Sequence, residues 1–233
     1  MRRRILILAA AVLVIGFPGV AQAADSQLPP AKRFPVAKVR FEQNATDGDV
    51  EVVFEVVGDD DGLTALTIVS PDGRTVVDFK APDASTLGVR EFEFESPEPK
   101  DDDSLKAAYP AGEYTFLGTT SAGVTLRRTA QLSHELPATV SFLQPAQHAQ
   151  GVDSQNLEIT WTPVENAARY VIELEQSKLH VKLNSQQPAS VAKFAVPNGL
   201  LVPGTKYQLG IGVVSEAGNI SFVETSFTTA GKQ

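Results

Sequence analysis

The sequence predicts an all-β protein in which two tandem β-sandwich domains follow a cleavable signal peptide. Short runs of apolar residues alternate with polar residues and are separated by turn residues, which is typical of antiparallel sheets with one solvated face. No long stretch keeps the period of an amphipathic helix. The 233 residues are 42% hydrophobic, so we expect the chain to fold into globular domains.

The first 23 residues have the organisation of a signal peptide. Arg2–Arg4 form a basic start, residues 5–17 are an apolar run, and Pro18 breaks this run before a small-x-small triplet that ends at Ala23. The run is too short to span a bilayer comfortably, so we expect cleavage after Ala23 and export to the periplasm or out of the cell. The proline-containing residues 24–35 are expected to form a flexible lead-in.

The composition excludes several classes of function. The sequence has no cysteine, which excludes disulfides, thiolate catalysis, cysteine-ligated zinc and iron–sulfur clusters. The net charge is −8 and long basic tracts are missing, so we expect no nucleic-acid partner. After the leader, no segment approaches the length of apolar sequence that a transmembrane helix needs, so no membrane span is expected once the signal is cleaved.

Residues 36–132 carry the first β pattern and are predicted to form one sandwich. Every second residue is apolar in the stretches 50–56 and 91–95, and residues 70–73 have the composition of a tight turn. About seven such strands fit into this part of the chain, which is enough for a sandwich.

Residues 137–229 carry a second β pattern after a short connector. Apolar and polar residues alternate in the stretches 157–161, 170–174 and 207–213. Each half of the chain has about 95 residues, a common domain size at which a chain can bury its own core. The sequence therefore predicts two sandwiches in series.

Several segments of the second half match a known family in their order and spacing. They are LEITWTP at 157–163, ARYVIEL at 168–174, LVPGTKY at 201–207, AGN at 217–219 and FTT at 227–229. With these segments, the second half resembles a fibronectin type III domain. The resemblance implies that Trp161 packs between the two sheets and that the hydroxyl of Tyr207 bonds to the backbone upstream of it.

The first half contains a related corner between Pro110 and Tyr114. This corner resembles the one found in bacterial immunoglobulin-like domains, so the predicted order is an immunoglobulin-like sandwich followed by a fibronectin type III-like one. Sandwiches of this type host many unrelated functions. The chain also lacks an Arg-Gly-Asp tripeptide, so the resemblance does not imply integrin-type adhesion.

Few side chains in the sequence suit catalysis. The three histidines are not spaced as a helical metal pair, and no Gly-x-Ser-x-Gly elbow occurs. The glutamates of residues 91–95 lie on one strand face, where we expect a solvated surface that discourages edge pairing and not a cleft that would raise a carboxyl pKa. We expect a protein that is not an enzyme, with no catalytic residue, no cofactor and no metal ligand.

Two glycines and two apolar residues form the candidate interaction surface. If the alternating apolar residues around them face the core, Gly210 and Gly212 face outward, and glycines inside a strand often mark the close approach of another surface. Side chains alternate between the two faces of the last strand, which places Ile220 and Phe222 on the outward face, where they border the glycines. We predict a bare apolar docking face, and the alternative is a bulge that turns Phe222 into the core.

The expected function is that of an exported, non-enzymatic binding or spacer protein. It would contact an unknown protein partner in the cell envelope or outside the cell. The alternative is a carbohydrate-binding or cell-wall-associated accessory protein, with calcium held at Asp59–Asp61 or Asp101–Asp103, although neither acidic run has EF-hand spacing. The single tryptophan, Trp161, is expected in the core and leaves no exposed platform for stacking sugars.

Overall fold

The computed structural model describes residues 31–81 and 87–231. The predicted signal peptide and residues 24–30 lie outside the described residues. The first half contains β1 (Lys32–Arg33), β2 (Val36–Asn44), β3 (Asp49–Val57), β4 (Leu63–Val69), β5 (Thr75–Lys80), β6 (Glu91–Glu95), α1 (Asp102–Ala108), β7 (Gly112–Thr120) and β8 (Thr125–Leu132). The second half contains β9 (Phe142–Gln144), β10 (Glu158–Trp161), β11 (Ala167–Gln176), a single 3₁₀ turn (Ser177–Leu179), β12 (Val181–Pro188), β13 (Lys193–Ala195), β14 (Lys206–Ser215) and β15 (Ile220–Thr228).

The first half packs a five-stranded sheet, in the order β1-β8-β7-β4-β5, against the strands β2, β3 and β6. Its core holds the inward residues of the alternating runs. The ring of Phe54 lies 5.7 Å from the ring of Tyr114 and 6.4 Å from that of Phe116. The hydroxyl of Tyr114 donates to the carbonyl of Pro110 at 3.1 Å, which closes the predicted corner.

The second half packs a three-stranded sheet, in the order β13-β10-β9, against the strands β12-β11-β14-β15. Trp161 is 1% exposed and its ring meets that of Tyr170 edge-on at 5.3 Å. The hydroxyl of Tyr207 accepts a hydrogen bond from the backbone N–H of Val202 at 2.8 Å. The predicted all-β class, with sheets packed in sandwiches, is confirmed, as is the fibronectin type III-like arrangement of the second half.

One sheet is shared between the two halves. β15 pairs in parallel with β2 through three residue pairs, which join Ile220 to Glu42, Ser221 to Gln43 and Phe222 to Asn44. The result is a continuous seven-stranded sheet in the order β12-β11-β14-β15-β2-β3-β6. The two cores lie on opposite halves of this sheet and are therefore linked by backbone hydrogen bonds as well as by the connector.

The flexible lead-in predicted for residues 24–35 needs a correction at its C-terminal end. Lys32 and Arg33 pair in parallel with β8, and Phe34 is buried in the first core. A Cβ atom at Gly118 would lie 2.6 Å from the Phe34 ring, so the ring occupies the space that this glycine leaves. The prolines of this segment favour a flexible lead-in, and a single aromatic anchor leaves no periodic pattern in the sequence that would oppose that interpretation. Within the described residues, no helix combines the length and apolar character needed to cross a membrane.

Candidate functional site

The candidate site lies on the outer face of the shared sheet, where β15 meets β2. The β14–β15 ladder runs without a register shift and pairs Gly212 with Phe222 and Val214 with Ile220. Because the intervening residues of β14 are buried in the second core, these pairs lie on the opposite, outer face. Gly210 lies on the same face, between Glu173 of β11 and Glu224 of β15.

The bare glycine face that the sequence predicts is not present. A Cβ atom at Gly212 would lie 2.7 Å from the Phe222 ring, so the ring covers this glycine. Ile220 is only 7% exposed and packs with Val171 and Val214 in a small apolar cluster outside both sandwich cores. Ile220 is covered because β15 is not an edge strand: β2 pairs beside it, which the two-domain prediction did not include.

Asn219 fixes the junction between the two halves. Its side chain is 1% exposed and reaches from the turn before β15 to two other segments. Its Oδ1 accepts from the backbone N–H of Phe41 in β2 at 2.9 Å. Its Nδ2 lies 3.0 Å from the carbonyl oxygen of Ser133 and 2.8 Å from that of Glu135, both in the connector. One buried amide thus holds β2, the connector and β15 together.

A groove with a volume of about 780 Å³ crosses the junction on this outer face. We call it the cross-domain groove. Residues of both halves line it, including Lys38 and Arg40 of β2, Glu55 of β3 and Arg169 of β11. Lys38 Nζ lies 3.1 Å from the carboxylate of Glu55, and Arg40 Nε lies 2.9 Å from that of Glu42. The two cations of β2 are therefore paired, whereas the buried Nε of Arg169 has no hydrogen-bond partner among the described residues.

A smaller cleft of about 220 Å³ lies beside the groove and has a different charge balance. Its aromatic wall is Phe222, and its polar wall includes Asn44. Every ionisable residue that lines it is acidic: Glu42, Asp49, Glu51, Glu95, Glu173 and Glu224. We call this set with Phe222 the acidic cleft. Its carboxylates come from five strands, three in the first half and two in the second.

The acidic cleft perturbs its own carboxyl groups. Burial, a hydrogen bond with Glu95 and repulsion from Glu95 and Asp49 raise the pKa of Glu51 to about 8. Burial also raises the pKa of Glu173, against the attraction of Lys182. A hydrogen bond between Glu51 and Asp49 adds to this rise in the pKa of Glu51. At neutral pH the raised pKa keeps Glu51 protonated, so this residue adds no negative charge to the cleft.

The other candidate side chains have local partners. His134 Nε2 lies 2.8 Å from the carbonyl oxygen of Tyr109, and His148 Nδ1 lies 3.3 Å from Ser226 Oγ. Over the ranges 31–81 and 87–231, no group of three or more His, Asp or Glu side chains is arranged to hold a metal ion.

The two acidic runs considered for calcium also have identifiable contacts. Asp101 caps α1, and its carboxylate accepts from the Ser104 hydroxyl at 2.7 Å and from the Ser104 N–H at 2.8 Å; these hydrogen bonds, the hydroxyl first, lower the pKa of Asp101. Asp60 lies 3.3 Å from Arg90. On β6, Glu91 and Glu93 belong to an exposed strand face, but Glu95 reaches the acidic cleft.

The acidic cleft could not be found from the sequence alone. The alternation of residues places Glu51 and Glu95 on outward strand faces, where the sequence predicts solvated side chains. Their convergence with Glu173 and Glu224 depends on the pairing of β15 with β2, for which the sequence has no local signal. The clustering of these acidic residues therefore depends on contacts between the two halves that no local pattern in the sequence predicts.

Solved structures that match the chain are fibronectin type III domains. A domain of human collagen XX is 20% identical, with 40% of this chain and 90% of that chain covered and a TM-score of 0.31. The two-domain segment of chicken tenascin is 15% identical, with 83% and 99% covered and a TM-score of 0.32. The fibronectin(III)-like modules of Clostridium thermocellum CbhA are 12% identical, with 85% and 92% covered and a TM-score of 0.36. No protein-family model and no curated protein matches the chain.

Proposed function

We propose that this chain is an exported, non-enzymatic binding module that contacts a protein partner in the periplasm or outside the cell. Its two domains, residues 36–132 and 137–229, act as one rigid unit in this proposal. The observation that carries it is the continuous seven-stranded sheet, whose outer face presents a groove built from both domains. A flexible tether would leave the domains free to rotate, whereas a shared sheet keeps one composite surface.

The chemistry of the groove favours a protein partner. Its floor includes the apolar residues Val171, Ile220 and Phe222, and its walls carry charges of both signs. An apolar centre with a polar, charged rim is the usual anatomy of a protein interface. A sugar-binding role has less support, because the single tryptophan of the sequence is buried in the second core.

The test compares capture of envelope proteins by the wild-type chain and by matched variants. Phe222→Ser alters the groove, and Leu143→Ser alters an apolar residue that is 59% exposed and lies outside it. We expect one set of captured proteins to be lost with Phe222→Ser and kept with Leu143→Ser, while both variants stay folded by circular dichroism. Equal capture by all three chains, or capture by none, would contradict the proposal.

Export has its own measurement. In cell fractions, the mature protein should be found outside the cytoplasm and its N-terminal sequence should begin at Ala24, because the small-x-small triplet ends at Ala23. A cytoplasmic protein that keeps Met1 would contradict export and leave the binding test unaffected.

A further inference from the structure

We propose that an extended, acidic segment of the protein partner adds as a strand to β2 inside the cross-domain groove, with one of its carboxylates bound by Arg169. This inference rests on the proposed function and adds the conformation and the charge of the partner. Two features of the groove carry it, a strand edge in its wall and an arginine on the outer face of the sheet, both without a partner among the described residues.

The first feature is the edge of β2 that precedes its pairing with β15. The side chains of Ala37 and Val39 are 2% and 4% exposed in the first core, yet both residues line the groove, so they face it with their backbone. Phe41 directs its N–H to this side, where Asn219 accepts it, and the alternation of backbone groups along a strand gives Val39 and Ala37 the same direction. Because β15 pairs only with residues 42–44, no strand of the described residues pairs with this edge.

An extended segment can complete this edge. The backbone groups of Ala37 and Val39 are about 6.6 Å apart along the strand, which is the spacing that another strand matches. An added strand would lie in line with β15, beyond the turn at residues 216–218 that also lines the groove. In such β-augmentation the main-chain hydrogen bonds supply affinity and the alternating side chains supply specificity.

The second feature is Arg169, which lies on the outer face of β11 opposite Val214. The other cations that line the groove have acceptors. Lys38 and Arg40 pair with carboxylates, and Arg128 donates to backbone carbonyls. The Nε of Arg169 is buried without a hydrogen-bond partner among the described residues. The groove therefore contains a cationic donor that lacks an acceptor.

A carboxylate is the ligand that fits Arg169. The guanidinium group presents parallel N–H donors that match the two oxygens of a carboxylate, and such charge-assisted hydrogen bonds are stronger than those between neutral groups. A buried donor without an acceptor is unfavourable, so a partner that supplies the acceptor gains affinity. Val171 and Ile220 line the same groove and offer apolar contacts to the side chains beside that carboxylate.

The overall charge of the chain opposes an acidic ligand. The net charge is −8, so diffuse electrostatic attraction favours a basic peptide. Tighter binding of an acidic peptide therefore requires a local site such as Arg169.

The experiment measures the binding of a short, fluorescently labelled peptide of alternating Glu and Thr to the full chain by anisotropy, with a Lys–Thr peptide as the comparison. Arg169→Gln removes the cation from the groove. Arg127→Gln is the matched control, because Arg127 is exposed on β8, does not line the groove and changes the net charge equally. Two further Glu–Thr peptides are N-methylated on every Glu or on every Thr, so each loses the main-chain donors of one edge.

We expect the Glu–Thr peptide to bind more tightly than the Lys–Thr peptide. Arg169→Gln should weaken its binding at least about tenfold and Arg127→Gln less than about twofold, with both variants folded by circular dichroism. One N-methylated peptide should lose binding and the other should keep it, since only one edge of the added strand faces β2. The amides of Ala37 and Val39 should exchange their hydrogens more slowly when the peptide is bound.

Several results would overturn the inference. They are an absence of Glu–Thr binding, tighter binding of the Lys–Thr peptide, equal weakening by both Arg variants, equal effects of the two N-methylated peptides, and unchanged exchange at Ala37 and Val39. A dimer that forms without peptide and is lost in Arg169→Gln would also overturn it, because a second copy of the chain would then occupy the groove.

The inference can fail while the proposed function stands. If the captured envelope proteins are lost with Phe222→Ser but kept with Arg169→Gln, the partner uses the groove without this arginine. That result would overturn the acidic-segment inference alone.

Discussion

Replacement of Asn219 by Ala should separate the two halves of the molecule thermodynamically. The substitution removes the acceptor of the Phe41 N–H, which lies inside the first domain at the junction. A buried N–H that loses its partner costs about 1–3 kcal/mol. The lost bonds from Nδ2 to Ser133 and Glu135 add about 0.5–1.5 kcal/mol each. We expect the free energy of unfolding to fall by about 2–6 kcal/mol in total.

Urea unfolding followed by two signals is the appropriate assay. The fluorescence of Trp161, the single tryptophan, reports the second core, and far-ultraviolet circular dichroism reports both halves. In the wild-type chain the two signals should change together, because the halves share a sheet. In Asn219→Ala they should have different midpoints, and the amide of Phe41 should exchange its hydrogen faster.

Asn198→Ala is the matched control for this prediction. Asn198 is exposed, and its Oδ1 accepts a single hydrogen bond from the Asn156 N–H at 3.1 Å. The same chemical truncation there should cost less than about 0.5 kcal/mol. If both Asn variants had the same stability, or if the two signals still changed together in Asn219→Ala, the junction would not depend on this side chain.

Two further predictions concern the outer face. The pKa of Glu51 is about 8 in the folded protein and near 4.5 when unfolded, with Glu95 and Asp49 as its acidic neighbours, so the folded state holds this proton more tightly. The free energy of unfolding should therefore fall by about 1 kcal/mol, after solvent screening, as pH rises from about 4.5 to 8. Urea titrations of Glu51→Gln should lack this dependence of the free energy of unfolding on pH. An unchanged pH dependence in the variant would contradict the prediction. Gly210→Ala should leave the stability of the protein unchanged or raise it by up to about 1 kcal/mol, since the new Cβ atom would have ordinary contacts of 3.8 Å. Gly212→Ala should lower the stability by about 1–3 kcal/mol, because the new Cβ atom would displace the ring of Phe222. Equal melting temperatures for the two Ala variants would show that the ring does not rest on Gly212.

The strands and corners could be predicted because their signals are local. Alternation of apolar and polar residues identifies a strand that buries one face. The strands of the first half, from β2 at Val36 to β8 at Leu132, contain this alternation. The Tyr114 and Tyr207 corners need only a few neighbouring residues, and the structure contains both hydrogen bonds. The orientation of the Phe222 side chain follows from parity along β15, because the ladder contains no bulge.

The junction could not be predicted because its contacts join residues far apart in the chain. The pairing of Ile220 with Glu42 spans most of both domains, and a polar residue such as Asn219 in a turn is ordinarily solvated. β2 pairs along the edge of β15 and Ile220 is buried there, so the candidate face differs from the bare face that the sequence predicts. The parity of strands determines which way a side chain points, but not what lies opposite it.

The position of the acidic cleft affects how firmly the two domains are joined. Its carboxylates belong to both domains, so their mutual repulsion opposes the pairing of β15 with β2 while the hydrogen bonds of Asn219 favour it.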